Sequence, residues 1–561
     1  MAEQSFYKTD LDVENNIFDL SQIDASDENG DATEDGAQVV LEQGQRLSQS
    51  KLWQLQRNYF DSQGIEAWRQ GEVPHYVTSN SFIAGAYARV VFGYFRDCQA
   101  TVCPPNGSLL DLDQPLYIVE LGAGSGRFAY HFLKQFSGVY RHLVQNDIRF
   151  KYIMTDFTER NIDCWRSHTS LQPFVEEGLL DFACFDAEHD EAFELIGSGE
   201  SLSPGSVRNP VVVLANYFFD SIPMDAFSIE EGQLHESLVT LSVPREASDL
   251  KNPEVLSQVE VSYDHQPVTG DYYGDPEWNR ILQDYGQRLA GTGFLFPTAA
   301  LQCLHRLECL SGGRLLLLSG DNGDSREDTL LNQGDPEPIM HGSFSLGVNY
   351  HALGQYVRNK GGVALHTAHR HASLSVCAFL LGNPSRAYPE TRQAYLEAVE
   401  NFGPDDFFNL KKGLQEAYHQ MDTEQVLACL RLSGWDAKIM LECGPALMDN
   451  LEDASEPLKQ EVYRAIERVW DCYYPIGEEA DLAFQLGMML YKMQYYPEAL
   501  NFFERSVGLY GHHPETAYGM GLCYKGLRQM DRALTYVNQA LESDPDYEPA
   551  RALRIQIQSG L

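Results

Sequence analysis

The chain has 561 residues, too many for one hydrophobic core, so two or three folded units are expected. Its formal net charge is −40, and such a field disfavours nucleic acid as a substrate or a partner. No apolar run reaches the roughly 18 residues that a membrane helix needs, and the eleven cysteines lack metal-ligand spacing, so we expect a cytoplasmic protein with reduced thiols and neither a membrane segment nor a metal.

The beginning of the chain, residues 1–45, is acidic and poor in large apolar residues. Such a composition cannot bury a core, and it predicts a disordered tail. Beyond Lys51 the sequence becomes apolar and periodic. An amphipathic helix is expected from about Ser81, with Ser79 or Asn80 as its N-cap.

The stretch Tyr117–Arg127, YIVELGAGSGR, predicts a short buried strand that ends on Glu120, then a glycine turn and the start of a helix. This order is typical of the cofactor end of an open α/β sheet, where glycines let the backbone pass close to a ligand. The dinucleotide pattern G-x-G-x-x-G does not fit, because Arg127 stands at the third glycine position. A tight turn without a ligand is the alternative.

Further apolar runs predict the remaining strands of a parallel sheet, and helical patterns separate most of them. The predicted strands are 151–156, 180–186, 210–216, 314–321, 361–366 and 373–381. The alternation of strands and helices predicts a doubly wound α/β domain over residues 46–385. An insertion over residues 234–293 contains two alternating segments, HESLVTLSV and LSQVEVSY, and we expect it to form a β-hairpin or flap.

The last part of the chain, residues 386–561, contains helical patterns and no strand signal, and it predicts an all-α domain. A period of 34 residues places Leu486-Gly487, Ala499 and Phe503 in register with Met520-Gly521, Ala533 and Val537. This pattern, over about residues 480–547, resembles the tetratricopeptide repeat (TPR). Because two copies cannot form a stable stack alone, the preceding helices and a final capping helix are expected to complete it.

The form E-x-G-x-G-x-G resembles the first motif of class I S-adenosyl-L-methionine (SAM) methyltransferases. Polar residues that end successive parallel strands meet at one edge of the sheet. We therefore expect Asp156 to accept hydrogen bonds from ribose hydroxyls and Asp186 to accept one from the adenine amino group. The residues predicted to bind the cofactor are Thr78, Glu120, Gly122, Ala123, Gly124, Gly126, Asp156, Phe157, Asp186, Ala187 and Asn216.

Asn216 and Asp220 are the predicted catalytic residues. The fourth strand continues as Asn216-Tyr-Phe-Phe-Asp220, which resembles an element of N-methyltransferases. The Asn216 carbonyl would hold a substrate N–H so that the nitrogen lone pair faces the methyl group. Asp220 would take a proton or pair with a guanidinium. The alternative is that Phe218, Phe219 and Ile222 are core residues and that Asp220 caps a turn.

Several short segments in a fixed order resemble the MidA-like SAM-dependent methyltransferases over roughly residues 50–385. They are VELGAGSGR, ANYFFDSIPMDAF, GFLFPTAAL, GGRLLLLSGDNG and FSLGVNYHAL, with the segment around Thr78 as a further counterpart. The resemblance implies methylation of a protein side chain, with arginine as the family substrate. The chain departs from the family pattern at two places, since Tyr217 replaces a family Glu and Asn322 replaces a family Tyr, and the loss of the carboxylate weakens the arginine assignment.

The sequence thus predicts a class I methyltransferase that modifies a side-chain nitrogen of a protein partner, which its TPR-type domain recruits. Two alternatives stay open, a non-catalytic or SAM-sensing assembly factor and a small-molecule methyltransferase. The histidines His366, His369 and His371 lack further ligands at suitable spacing, so no metal site is expected there. The acceptor atom and the oligomeric state stay open.

Overall fold

The computed structural model describes residues 38–69, 71–100, 102–103, 107–108, 110–143, 149–245, 252–382, 387–452 and 454–559. The described chain divides into two compact units, residues 38–409 and residues 410–559.

The strands of the first unit are, in chain order, β1 (Gln38–Gln45), β2 (Val102–Cys103), β3 (Gly107–Ser108), β4 (Leu116–Leu121), β5 (Phe150–Asp156), β6 (Leu180–Cys184), β7 (Phe193–Glu194), β8 (Ser201–Leu202), β9 (Val211–Asn216), β10 (Asp225–Glu230), β11 (Gln233–Pro244), β12 (Glu260–Pro267), β13 (Thr292–Phe296), β14 (Leu315–Asp321), β15 (Ile339–His341), β16 (Ser343–Ser345), β17 (Val363–Leu365) and β18 (Ser375–Leu381).

The helices up to the division are α1 (Lys51–Gln63), α2 (Glu66–Arg69), α3 (Tyr76–Ser79), α4 (Ser81–Ala100), α5 (Arg127–Leu143), α6 (Glu159–Ser167), α7 (Gln172–Glu176), α8 (Pro276–Arg288), α9 (Thr298–Leu310), α10 (Tyr350–Asn359), α11 (Pro389–Tyr395) and α12 (Pro404–Gln415). The helices of the second unit are α13 (Thr423–Leu432), α14 (Ala437–Asn450), α15 (Glu456–Cys472), α16 (Leu482–Lys492), α17 (Tyr496–Tyr510), α18 (Pro514–Gly526), α19 (Met530–Ser543) and α20 (Glu548–Ser559).

The central sheet has the strand order β17-β18-β14-β9-β4-β5-β6, and its strands are parallel except for β18. The middle strands β4 and β14 are buried along their whole length, as their aliphatic runs predict for a parallel sheet covered on both faces. From β4 the order runs outwards through β5 and β6 on one side and through β9 and β14 on the other. The doubly wound α/β prediction is confirmed, with a topological switch point between β4 and β9.

A second sheet in the first unit is antiparallel and contains β1, β10, β11, β12 and β13. The two alternating segments of the predicted flap pair with each other as β11 and β12, with Leu238 opposite Asp264. Strand β1 adds to β11 with Val39 opposite Val243, so residues 38–45 are not part of a disordered tail. The acidity of the first forty residues hid the short apolar segment QVVLEQGQ, whose pairing partner lies about 200 residues further along the chain. Residues 1–37 of the predicted tail lie outside the described residues.

The boundary between the units also differs from the one expected at residues 385 and 386. Helix α11 packs against α4 of the first unit, where the Asp97 carboxylate accepts hydrogen bonds from the Thr391 backbone N–H at 2.8 Å and from its hydroxyl at 2.7 Å. The predicted cap of α4 is present, because Asn80 Oδ1 accepts from the backbone N–H groups of Phe82 and Ile83 at 3.0 and 3.1 Å.

Consecutive helices of the second unit pack in pairs, α16 with α17 and α18 with α19. The 34-residue repeat has a steric reason. A Cβ on Gly487 would lie 2.7 Å from the Phe503 ring, and one on Gly521 would lie 2.8 Å from Val537. Each pair therefore needs glycine on its first helix to let the second approach. Among the described residues, no helix is both long and apolar enough to cross a bilayer.

Candidate functional site

The polar residues that follow the central strands surround one cleft at the switch point of the sheet. Glu120 lies near the end of β4, Asp156 ends β5, Asn216 ends β9 and Asp321 ends β14. The switch point is the place where open α/β sheets bind ligands, because the flanking helices lie on opposite faces and leave a crevice there.

The cleft consists of two adjoining cavities that share a wall made by Phe60, Trp68, Gly122, Tyr217 and Ser221. Ten of the eleven residues predicted to bind the cofactor line one cavity or the other. The first cavity is lined by Thr78, Glu120, Gly122, Ala123, Gly124 and Asn216, together with Asp220, and the second by Gly122, Asp156, Phe157, Asp186 and Ala187. Gly126 lines neither cavity, and its N–H donates to the Ala123 carbonyl at 2.8 Å inside the turn.

The glycine turn after β4 leaves space that side chains would fill. Gly122 and Gly124 have φ values of +60° and +51°, which disfavour other residues. A Cβ on Gly122 would lie 2.7 Å from Phe218, and one on Gly124 would lie 2.9 Å from Trp68. The turn therefore brings backbone to the floor of the first cavity.

Glu120 is a buried carboxyl in the wall of the first cavity. Burial raises its pKa to about 8, against the hydrogen bond from the Tyr152 hydroxyl at 2.9 Å and with a further contribution from the charge of Asp156. At neutral pH this side chain is largely protonated in the described state of the cleft.

Asp220 lies in the same cavity wall, and burial raises its pKa to about 7, although Ser221 donates a hydrogen bond to it at 2.8 Å. Asp321 lies behind it and is fully buried. Burial and the charge of Asp220 raise the pKa of Asp321, against hydrogen bonds from the Tyr350 hydroxyl and from the backbone N–H groups of Phe219 and Phe218. Asp220 is thus the member of the pair that ionises first and the one that faces the cavity.

Asp156 is held by its own neighbourhood. Its Oδ1 accepts from the Thr158 backbone N–H and hydroxyl, both at 3.0 Å. Its Oδ2 accepts from Asn161 Nδ2 at 3.0 Å and from the Gly124 N–H at 3.3 Å. Burial nevertheless raises the pKa of Asp156, against all of these hydrogen bonds. The carboxylate links the glycine turn to helix α6.

Asp186 is paired with a residue from the N-terminal helix α1. Arg57 donates to Asp186 Oδ2 at 2.7 Å and to Glu188 at 2.9 Å, and its guanidinium lies 4.6 Å from the centre of the Phe157 ring. Partial burial by itself would raise the pKa of Asp186, but the hydrogen bonds from Arg57, the Glu188 N–H and His189 lower it. Asp186 is therefore ionised across the physiological pH range.

Asn216 is fixed at both ends of its amide. The Tyr87 hydroxyl donates to Asn216 Oδ1 at 2.7 Å, and Asn216 Nδ2 donates to the Thr78 carbonyl at 3.3 Å. The next residue, Tyr217, has φ +46°, which costs a non-glycine residue about 1 kcal/mol or more. Such strain at the edge of a cavity is typical of functional sites.

Two family models match the chain. Residues 102–333 match a model described as "Putative S-adenosyl-L-methionine-dependent methyltransferase", and residues 514–547 match a tetratricopeptide-repeat model. Residues 102–333 are a SAM-dependent methyltransferase domain. The match confirms the predicted class of enzyme and its cofactor, and the second match confirms a TPR repeat in the C-terminal unit.

Several known proteins are similar to parts of the chain. An uncharacterised protein from Burkholderia thailandensis, known from a native crystal structure, shares 10% identity with this chain. The match covers 61% of this chain and 89% of that one, with a TM-score of 0.37. A second protein from the same organism, described as a likely methyltransferase and solved with S-adenosyl-homocysteine, also shares 10% identity. That match covers 56% of this chain and 80% of the other, with a TM-score of 0.34. Intraflagellar transport protein 70A of Danio rerio is 37% identical over 65 residues, which are 12% of this chain and 10% of that relative. The chain thus spans about a tenth of that relative's length.

The cleft of the methyltransferase domain fits SAM. The glycine turn gives a backbone cradle that a Cβ would fill, and unlike a pyrophosphate site it needs no helix N-terminus. Glu120 and Asp220 would offer carboxyl oxygens to the cationic part of the cofactor in the first cavity, and Phe157 in the second cavity would provide an apolar wall for an adenine. When bound, SAM supplies an electrophilic methyl group on a sulfonium sulfur.

Helix α1 forms a wall of the cleft that the sequence reasoning did not predict. Trp53, Gln56, Arg57 and Phe60 all line the second cavity, and Phe60 also lines the first. Their spacing of three and four residues places them on one face of the helix. That spacing is visible in LWQLQRNYF, so periodicity signals a buried face, but nothing local indicates what the face covers.

The histidines between β17 and β18 contact side chains of their own loop. His371 Nε2 lies 2.5 Å from the Thr367 hydroxyl, and the ring of His369 lies beside that of His371. Among the residues that the structure describes, no group of three or more His, Cys, Asp or Glu side chains is arranged to hold a metal ion.

Proposed function

We propose that this chain transfers a methyl group from SAM to a side-chain nitrogen of a protein partner, and that arginine is the side chain concerned. One observation carries the proposal. The cavity next to the glycine cradle contains Asp220, a buried carboxyl whose pKa of about 7 suits a proton acceptor at neutral pH.

The charge of the first cavity supports a cationic acceptor. Its lining includes the carboxyls of Glu120 and Asp220, and none of its lining residues is a lysine or an arginine. Its walls also carry the aromatic rings of Phe60, Trp68 and Phe128, whose faces attract cations. An anionic or extended apolar acceptor would gain little from this set of groups.

Asn216 would orient the acceptor nitrogen, and Asp220 would accept its proton. The Asn216 carbonyl accepts the Tyr87 hydroxyl through one lone pair, and its second lone pair is available to a substrate N–H. As the new N–C bond forms, the methyl–sulfur bond of SAM would break to leave S-adenosyl-homocysteine, and Asp220 would take the proton that the nitrogen loses. Positioning of this kind supplies much of the rate enhancement in group transfer, because the reacting atoms are already aligned.

Arginine remains compatible with the site although Tyr217 replaces the family Glu. A guanidinium needs carboxylates that orient it and accept its N–H groups. Glu120 and Asp220 both reach the first cavity and supply such oxygens. Tyr217 adds a hydroxyl and a ring to the wall between the two cavities.

The second unit supports recruitment of the partner. Its TPR match and its paired helices are features of arrays that bind extended protein segments. Acidic residues outnumber basic ones between residues 410 and 559, so a basic segment would be favoured over an acidic one.

The test is transfer of a radiolabelled methyl group from SAM into a cell lysate, followed by separation of protein from small molecules and by mass spectrometry of labelled peptides. We expect label on arginine in protein. Asp220→Asn should lower labelling at least a hundredfold, because general-base catalysis is worth roughly that much, while Asp163→Asn, on an exposed side chain of α6, should leave it unchanged. Label confined to small molecules, or none above background, would refute the proposal in favour of a small-molecule enzyme or a non-catalytic factor.

A further inference from the structure

Asp321, at the end of β14, holds the turn that joins the two predicted catalytic residues. It is 0% exposed and lines neither cavity of the cleft. Its Oδ1 accepts from the Phe218 N–H at 3.0 Å, and its Oδ2 accepts from the Phe219 N–H at 3.3 Å. These N–H groups lie at the start of the 3-10 turn Phe219–Ser221, where backbone N–H groups have no partner within the turn itself. The carboxyl of Asp321 supplies that partner from the neighbouring strand.

The turn needs such an anchor because its backbone is strained. Tyr217 has φ +46°, a left-handed conformation that is unfavourable for a tyrosine. Its N–H donates to the Gly320 carbonyl at 2.9 Å. The N–H groups of residues 217–219 are therefore all bonded to the last two residues of β14. Strain of this kind persists only where the surrounding structure fixes it, and here the end of β14 does so.

The side chain of Asp321 is itself held from behind. The hydroxyl of Tyr350, which is 1% exposed on α10, donates to Asp321 Oδ2 at 3.0 Å. The Ser319 hydroxyl oxygen lies 2.6 Å from that of Tyr350. Both oxygens of Asp321 thus accept hydrogen bonds from fixed groups, and a rotation of the carboxyl would break several of them.

The end of β14 is also close to Asn216, the residue before the turn. A Cβ on Gly320 would lie 3.0 Å from Asn216 Oδ1 and 2.8 Å from the hydroxyl oxygen of Tyr87. That hydroxyl donates to the same Asn216 oxygen at 2.7 Å. Through Gly320 and Asp321, the end of β14 therefore contacts both sides of the turn that separates Asn216 from Asp220.

We propose that Asp321 is a positioning residue for methyl transfer, which fixes the turn of residues 217–219 so that Asn216 and Asp220 face the same acceptor nitrogen. The inference rests on the proposed function, which gives those two residues their roles. Because Asp321 lines neither cavity, its replacement should slow the transfer and leave the affinity for the cofactor unchanged.

Asp181 on β6 offers a matched control. It is 3% exposed and lines neither cavity. Like Asp321, it accepts from two successive N–H groups, those of Gly197 at 2.7 Å and Ser198 at 3.0 Å. Its replacement removes the same kind of anchor from a loop that does not line the cleft.

The experiment compares the full chain as wild type, Asp321→Asn, Asp321→Ala and Asp181→Asn. The rate at which radiolabelled SAM, at saturation, labels lysate protein is divided by the number of S-adenosyl-homocysteine sites counted by calorimetry. Asp321→Asn should lower this rate about tenfold and Asp321→Ala about a hundredfold, because small displacements of reacting groups are that costly. Both variants should bind S-adenosyl-homocysteine as tightly as wild type does, and Asp181→Asn should change neither quantity.

Hydrogen exchange of the turn gives a second readout that needs no acceptor. The backbone amides of Phe218 and Phe219 should exchange about tenfold faster in Asp321→Asn than in wild type, since each loses or weakens one hydrogen bond. In Asp181→Asn their exchange should match that of wild type.

Four results would overturn the inference. A wild-type rate per site in Asp321→Asn and Asp321→Ala would do so and leave the proposed function standing. An equal fall in rate and in affinity for S-adenosyl-homocysteine would instead show a general effect on the cleft. Unchanged exchange of the two amides in Asp321→Asn would refute the anchor even if Asp321→Ala fails to fold. A wild type that binds S-adenosyl-homocysteine and labels no protein would refute the proposed function and this inference together.

Discussion

Replacing Glu120 by glutamine should make the first unit more stable at neutral and alkaline pH. Glu120 is fully buried and has a pKa of about 8, whereas its ordinary value is 4.5. Between these two values the unfolded chain has lost the proton and the folded chain has kept it. The free energy of unfolding therefore falls as pH rises from about 4.5 to 8, by up to about 1.4 kcal/mol per pH unit.

Glutamine at position 120 mimics the protonated carboxyl. Its side-chain carbonyl can still accept the Tyr152 hydroxyl, which donates to Glu120 at 2.9 Å. Over the three pH units from 5 to 8 the wild type should lose on the order of 4 kcal/mol of stability relative to this variant. Above pH 8 both states of the wild type are ionised and the difference should stop growing.

The assay is urea unfolding of both proteins at pH 5, 7 and 9, followed by tryptophan fluorescence. Because the comparison is between variant and wild type, contributions from the second unit cancel. Glu176→Gln, on an exposed side chain of α7, is the matched control and should show no pH-dependent difference. A constant difference between Glu120→Gln and wild type from pH 5 to pH 9, or one that shrinks as pH rises, would show that Glu120 is not held protonated by burial.

Three further outcomes follow from the geometry of the cleft. Gly122→Ala should weaken binding of S-adenosyl-homocysteine at least tenfold in calorimetry, since the backbone at position 122 has φ +60° and the added Cβ would lie 2.7 Å from Phe218; normal affinity would contradict the cradle. Arg57→Gln removes the guanidinium from the wall of the second cavity, so the same ligand should dissociate several-fold faster in stopped-flow measurements, whereas Arg166→Gln, on an exposed side chain of α6, should not change the rate. Binding of SAM at pH 7 should release protons and binding of S-adenosyl-homocysteine fewer, because the sulfonium favours ionised Glu120; titration in buffers of different ionisation enthalpy measures this, and equal release would contradict it.

The central sheet could be predicted because its signals are local. Short aliphatic runs such as 210–216 and 314–321 are typical of parallel strands that are buried on both faces. In a parallel sheet the polar residues at the carboxyl ends of these strands lie along one edge. The cap of α4 by Asn80 was predictable for the same reason, since a cap acts on N–H groups two and three residues away.

The partners of the predicted acidic ligands Asp156 and Asp186 were harder to predict from the sequence. The donors to Asp156 include Thr158 and Asn161, within five residues, so the pattern D-x-T-x-x-N carries a local signal of a satisfied carboxylate. The cation beside Asp186 is Arg57, which lies 129 residues away. No spacing in the sequence connects these two, because the contact depends on how α1 packs over the finished sheet.

The two cavities differ in the charged groups that line them, because Arg57 of α1 lines only the second cavity. In the second cavity Arg57 keeps Asp186 ionised, so this carboxylate has a cationic partner before any ligand enters. In the first cavity no lysine or arginine lines the wall, and burial raises the pKa of Glu120 to about 8 and that of Asp220 to about 7. An entering cation would stabilise their ionised forms further, because a buried charge without a charged partner is costly. With the cofactor and the acceptor bound as proposed, the first cavity would favour positively charged groups and would give up protons when they bind.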